Sequence, residues 1–295
     1  MYLAGERRWR KTGWVLLFLA PSLAGLILFT LGPILASLGL TLFQWDLIRP
    51  LEFVGLDNFR EIFASGEFWS ALSHTLYFVI GYIPLVMLLA LGVALLLNQR
   101  VRGLALYRTA FFIPVVSSWV VISLLGKWAF NPRYGLVNYA LGLVGVQGPN
   151  WLFSSRWAMP AIILTSVWKD IGFVMVMFLA GLQSIPHEYR EASALDGAQA
   201  WNHFRWITLP LLSPTTFFAL IISLIASFQV FDQVWIMSET GTKSATTVLV
   251  QQIVQNAFSY GRMGTAAALS WVLFAFIFAI TLVQLRLQRR WVAYD

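Results

Sequence analysis

Residues 184–214, SIPHEYREASALDGAQAWNHFRWITLPLLSP, form a polar island between two long apolar runs, 157–182 and 211–237. Each run is long enough to cross a bilayer, since about 20 apolar residues rising about 1.5 Å each span the hydrocarbon. The island is therefore a loop of a helical membrane protein, and its own chemistry predicts two short helices. Ser184 is placed to cap the first, whose opening turn holds Pro186 and Glu188: proline lacks only an N–H that would be unpaired there, and an acid suits the positive helix start. Gly197 ends it. Residues 198–208 read as the second helix, which Leu209-Pro210 closes before the next apolar run begins. Two helices meeting at a glycine read as an element that docks onto something.

The composition agrees with a membrane protein. Of 295 residues, 59% are hydrophobic and 11% charged, and the mean hydropathy is +0.72; a soluble globule carries about 25% charged residues. The net charge of +7 does not point to nucleic acid, because the basic residues lie at the edges of apolar runs rather than in one patch. The sequence contains no cysteine, which removes disulfides and thiolate metal sites. His74, His187 and His203 have no ligand spacing.

Six spans are predicted, over 13–43, 69–97, 104–130, 157–182, 211–237 and 264–287. The first follows Arg7, Arg8, Arg10 and Lys11. It is too long for a signal peptide and has no convincing cleavage site, so it is expected to persist as a helix kinked at Pro21 or Pro33. This divides the chain into an N-terminal tail (1–12), a membrane domain (13–287) containing the loop 184–214, and a C-terminal tail (288–295). With both termini inside, twelve basic residues face the cytoplasm, among them the N-terminal four, Arg100, Arg102, Arg108, Arg190, Arg205 and the C-terminal arginines. Seven face outward: Arg49, Arg60, Lys127, Arg133, Arg156, Lys243 and Arg262. The excess sets this orientation and puts Glu191 inside. The outer segments 44–68 and 131–156 read as structured caps, with Trp14, Trp69, Trp128, Tyr134 and Trp157 as an interfacial belt.

Within the polar loop, Glu191-Ala192-Ser193, then Gly197, then Ile207-x-Leu209-Pro210 reproduce the spacing of the EAA loop of ATP-binding-cassette (ABC) importer permeases, a family this chain resembles. Ser193 stands where the third letter is usually Ala. The resemblance implies a cytoplasmic loop that inserts into a groove on an ATP-hydrolysing subunit, with small residues at 192–194 permitting close approach. FVGLDNF at 53–59, RTAFFIPVV at 108–116, GLQSIP at 181–186 and the stretch 228–264 resemble the carbohydrate-type branch. FVGLDNF and the long first span resemble the first of its two unlike permeases, and the C-terminus QRRWVAYD lacks the glycine-rich ending of the second. Where relatives often carry Gly-Gly-Pro after the fifth span, this chain has Glu239-Thr240-Gly241-Thr242-Lys243.

What the resemblance implies is a type I importer permease fold, all-α with six transmembrane helices, in a bacterial or archaeal inner membrane. It further implies a second permease, two ATP-binding subunits that hold the ATP and Mg, an extracytoplasmic solute-binding protein and a carbohydrate solute, with no cofactor bound by this chain. Consistent with that, Gly241-Thr242-Lys243-Ser244 lacks the Gly-Lys step of a phosphate-binding loop, and no nucleophile elbow or dinucleotide fingerprint occurs.

Candidate solute-pathway residues are the polar groups inside spans, since a charge in hydrocarbon costs at least ~2.5 kcal/mol. Lys169 and Asp170 fall mid-way along the fourth span, about 100° apart around the helix, so they cannot meet face to face. Asp170 and Phe173 share one face there. Ser223 and Ser227 share a face of the fifth span, with Gln229 and Asp232 toward its outer end. Each of these can instead hold helices together. A glycerol-phosphate importer would need further cations in the pathway. An ion-coupled carrier would use Lys169, Asp170 and Asp232 as a relay, and the EAA-like loop argues against it. An intramembrane enzyme would need an acid, base or nucleophile pair that the sequence does not place.

Overall fold

The computed structural model describes the backbone over residues 3–99, 102–238 and 242–291 and side chains over 15–99, 102–238 and 242–288. The side chains of the basic tails and of Trp14, together with Arg100 and Glu239-Thr240-Gly241, lie outside the described residues. The chain divides into two units, Met1–Ala64 with Ile253–Trp271, and Ser65–Gln252 with Val272–Asp295. Among the described residues the secondary structure is helical apart from one pair of two-residue strands.

In the first unit, helix α1 (Leu3–Leu26) passes through residue 12 without a break, since its arginines and lysine are good helix formers. Pro21 sits inside it. The backbone widens into a π-turn at Ile27–Leu31 and resumes as α2 (Gly32–Leu40). Pro33 explains the place: it has no N–H and its ring crowds the preceding turn, and the wider turn lets Gly32 N–H reach Ile27 O, five residues back. The segment Val15–Leu40 is long and apolar enough to cross a membrane, and none of it is buried within the chain.

A short hairpin follows, β1 (Phe43–Gln44) against β2 (Glu52–Phe53). Its turn is held by Asp46, whose Oδ1 accepts from the N–H groups of Ile48 and Arg49, with Leu47 in the left-handed region at φ 70. The N–H of Arg49, then that of Ile48, hold the Asp46 carboxyl below its usual range. In α3 (Asp57–Ala64), buried Asn58 donates to the carbonyls of Thr41 and Phe43 and accepts from Thr265. The FVGLDNF signature is therefore the knot of this unit. Gly264 completes it, because a Cβ there would run into the Phe43 carbonyl.

The second unit is built on α4 (Gly66–Leu97) and α8 (Ala158–Ser184), which pack along each other. Ser65 starts α4 by accepting from Phe68 N–H at 3.2 Å. Its inward stripe recurs every fourth residue, Phe78, Tyr82, Val86, Ala90 and Ala94, all nearly inaccessible. The alanines let the helices approach closely, which is what drives association where lipid is as apolar as the protein. Gly172 and Gly181 of α8 do the same toward other neighbours: a Cβ on Gly172 would collide with the Phe111 carbonyl, one on Gly181 with Thr215.

The third predicted span is not one straight helix. It breaks into α5 (Leu104–Val116) and α6 (Trp119–Ala129), bent by 101°. Pro114 and the pair Ser117-Ser118 cause this: Ser118 caps α6 by accepting from Val121 N–H, and Ser117 Oγ turns back to Ile113 O. After an Asn131 turn comes α7 (Leu136–Leu143), tied down where Trp151 Nε1 donates to Asn138 Oδ1 at 2.6 Å and packs edge-on against Phe130.

The fifth predicted span, 211–237, is also interrupted. Its helix α12 (Ser213–Phe228) stops at Gln229, and Asp232 opens a separate short helix, α13 (Asp232–Met237). Between α8 and α12 lie α9 (His187–Leu195), α10 (Ala200–His203), a π-turn over Phe204–Thr208 and α11 (Leu209–Leu211). Short α14 (Lys243–Thr246) and α15 (Leu249–Val254) precede the last helix, α16 (Met263–Trp291), which belongs to both units. Four helical segments are long and apolar enough to cross a membrane, and the α5–α6 and α10–α12 pairs bring the number to six if each bent pair is one span.

Candidate functional site

Two places in the second unit gather the residues that the sequence singles out. The first is the polar loop. Ile185 is extended before Pro186, which caps α9 without a side-chain bond. Ser184 is not that cap: it closes α8, with its Oγ donating to Gly181 O. Gly197 stops α9 in the left-handed region, φ 74, with Gly197 N–H on Ala194 O and Ala198 N–H on Ser193 O. That pair of bonds is a Schellman closure, and it requires the conformation glycine adopts at least cost.

Leu209-Pro210 do not end the second helical limb. The turn before the proline widens, Leu209 N–H reaching Phe204 O, and the helix runs on to Leu211. The turn away comes next, with α12 leaving at 63°. Ser193, in the position usually held by Ala, is buried and joins the two limbs: its Oγ lies 2.9 Å from Arg190 O and 2.8 Å from His203 Nδ1. Glu191, Ala192 and Pro210 are exposed and Ile207 half-buried. Around them Leu195, Trp201 and Trp206 stand out from the loop, Leu195 at 90% exposure. Exposed apolar side chains gathered in one loop suit a contact with another protein or with the membrane interface.

The second place is a cavity of about 180 Å³ among α4, α6, α8, α12 and α13. It brings together Asp170, Phe173, Ser223, Ser227, Gln229 and Asp232, which lie up to 62 positions apart in the chain (232 − 170). Tyr82 Oη donates to Asp170 Oδ2 at 2.8 Å, and the Tyr82 ring stacks on Phe78 at 5.4 Å. Asp232 is exposed at the start of α13, whose N–H groups favour an acid. Lys169 does not line the cavity: its Nζ donates to the carbonyls of Pro114 and Val115 at 3.2 and 2.9 Å.

Sequence reasoning missed Tyr82, Trp119 and Gln233 as cavity residues. Tyr82 carries no local signal, because its partner is 88 residues away. Gln233 is buried and donates to Ser166 at 3.2 Å, again across the unit. Trp119 had one, the Pro-Val-Val-Ser-Ser break just before it. Such a cavity, with aromatic walls and a few hydroxyl, amide and carboxylate groups, suits a small polyhydroxylated solute: rings stack on apolar faces and hydroxyls pair with the polar groups.

A larger open cavity of about 440 Å³ lies in the first unit, lined by the hairpin, α3 and residues 260–265. Its acids are mostly engaged, Asp46 with Arg49, Asp57 with Arg60 and Glu61 with Arg262, so it reads as part of the structured cap.

Residues 53–292 match the family described as "Binding-protein-dependent transport system inner membrane component". The probable ABC transporter permease protein YesP of Bacillus subtilis is 36% identical over 283 residues, covering 94% of this chain and 91% of that protein. The trehalose/maltose transport system permease protein MalF of Thermococcus litoralis is 31% identical, covering 97% of both. A chain of a bacterial alginate ABC transporter, crystallised with an alginate pentasaccharide-bound periplasmic protein, superposes with a TM-score of 0.84 at 24% identity, over 95% of this chain and 96% of that one. The last likeness is one of fold.

Proposed function

This chain belongs to the family of binding-protein-dependent transport system inner membrane components, and from that membership we propose that it is the permease subunit of an ATP-driven carbohydrate importer. The observation that carries the reading is the match over 53–292 together with relatives that include a trehalose/maltose permease, whose alignment runs the length of both chains. These support import over the ion-coupled carrier. In the proposed assembly a second, unlike permease completes the pathway, two cytoplasmic subunits bind ATP and Mg and hydrolyse the ATP, and an extracytoplasmic binding protein delivers solute. The loop 184–214 would couple to one ATPase through Glu191, Ala192, Ser193, Gly197, Ile207, Leu209 and Pro210. Alternation of the two halves would open the route to either side in turn.

The solute would pass through the cavity at Asp170, Phe173, Ser223, Ser227, Gln229 and Asp232, since polar groups at membrane depth mark solute routes. Uptake of labelled sugars by the whole complex in proteoliposomes tests this. Phe173→Ala removes a 43% exposed ring without adding charge, so uptake is expected to fall about tenfold with the complex still assembled. Unchanged uptake in both Phe173→Ala and Ser227→Ala would place the route elsewhere.

Both termini are proposed to face the cytoplasm. Single cysteines at Asp295 and at exposed Ser244 of this cysteine-free chain are expected to be protected from, and labelled by, an impermeant reagent applied outside. The reverse pattern would invert the topology.

A further inference from the structure

Lys169 is buried at 5% exposure, yet it faces away from the cavity that its neighbour Asp170 lines. What it faces is the elbow of the third span. α5 ends there with carbonyls that have lost the next helical turn, and in hydrocarbon each needs a donor. Ser117 Oγ supplies one to Ile113, Ser117 N–H another to Pro114. Lys169 Nζ adds a donor at Pro114 and supplies Val115. The same nitrogen lies 4.8 Å from the centre of the Trp119 ring. Trp119 is the first residue of α6, and it lines the cavity together with Phe173. One side chain therefore both closes the end of α5 and holds the first ring of α6.

We propose that Lys169 is a positioning residue that locks the α5–α6 elbow and thereby sets Trp119 as a stacking wall for the ring of a carbohydrate solute. The inference rests on the pathway reading above. The 100° between adjacent helical residues is what lets α8 do two things in one turn: Asp170 enters the cavity beside Tyr82, and Lys169 reaches the elbow. Tryptophan is the ring best suited both to a cation on one face and to a sugar on the other. Lysine at this site is thus a fastening and Trp119 the group that meets solute.

The test is the number of sugar molecules moved per ATP hydrolysed by the complete complex with its binding protein, using labelled maltose, trehalose and lactose. A residue that only aids folding changes how much complex is present, not this ratio. Lys169→Met and Trp119→Ala are each expected to lower the ratio about tenfold for the best of the three sugars. If Lys169 acts through Trp119, the double variant is no worse than either single one. Lys169→Arg, which can reach two carbonyls and stack on the ring, is expected to restore at least half the ratio.

A ratio within twofold of normal in Trp119→Ala overturns the proposal, as does a double variant whose losses multiply. If Lys169→Met does not assemble, Lys169→Gln takes its place in the same comparison. Loss in Phe173→Ala with none in Trp119→Ala would sink this inference alone, whereas no loss in either Phe173→Ala or Ser227→Ala would remove the pathway reading and this inference with it.

Discussion

Replacing Glu191 by Ala, or Gly197 by Asp, is expected to abolish both uptake and solute-stimulated ATP hydrolysis while the subunits remain in the membrane. Glu191 is exposed on α9, so its removal leaves the chain's own packing intact. A charge-assisted bond from this carboxylate to a partner contributes roughly 1.5–3 kcal/mol, which is about a 10- to 100-fold loss of docking. Gly197 is the sharper probe. A Cβ there meets nothing within this chain, so the internal cost is that of the left-handed backbone alone, about 1–2 kcal/mol. Aspartate tolerates that conformation better than most residues, and any larger effect must come from a surface brought against the loop. Hydrolysis and uptake at wild-type levels in Glu191→Ala would show that this carboxylate has no part in coupling.

Gly172→Val is expected to prevent accumulation of the folded subunit. The Cβ of any other residue would strike the backbone carbonyl of Phe111 and crowd Val115 Cγ2, and a carbonyl of a packed helix cannot rotate away as a side-chain end can. Overpacking ordinarily costs about 1–3 kcal/mol, and with backbone as the obstacle the cost lies at or above the top of that range. Separation of α5 from α8 would also withdraw the Pro114 and Val115 carbonyls from Lys169, leaving a buried head group without acceptors. The measurement is the yield of detergent-extracted, monodisperse complex. A normal yield from Gly172→Val would mean that the α5–α8 contact can open to admit a side chain. Gly92, where a Cβ meets open space, is the control, and Gly92→Val is expected to be tolerated.

Several features were legible because they are local. Gly197 could be assigned as a helix stop from its place alone, and its backbone has the conformation that role demands. The second, fourth and sixth spans are apolar runs whose ends the helices meet within a few residues, whereas the helix of the first begins at Leu3, ahead of its apolar run. The breaks were less readable. Pro114 and Ser117-Ser118 stand within an otherwise apolar stretch, and window hydropathy averages over them; the donor that meets the carbonyls opened at the 101° elbow is Lys169, 54 positions on from Val115. Pro210 misled in the opposite direction, as a π-turn absorbed the missing N–H and let the helix continue.

The sequence by itself determined that this is a polytopic helical membrane protein with one polar loop of fixed motif spacing, since hydropathy, helix caps and a glycine stop act within a few residues of themselves. It also supplied the faces on which Asp170 and Phe173, and Ser223 and Ser227, must lie together. Only the tertiary structure decided that these two faces meet around one cavity, that Tyr82 lines it and donates to Asp170, and that Lys169 turns away to the elbow beside Trp119. The reason is physical. In hydrocarbon an apolar surface does not choose its partner, so which helices meet depends on small residues such as Gly172 and Ala90 fitting a particular neighbour, and on which distant donor reaches an open carbonyl.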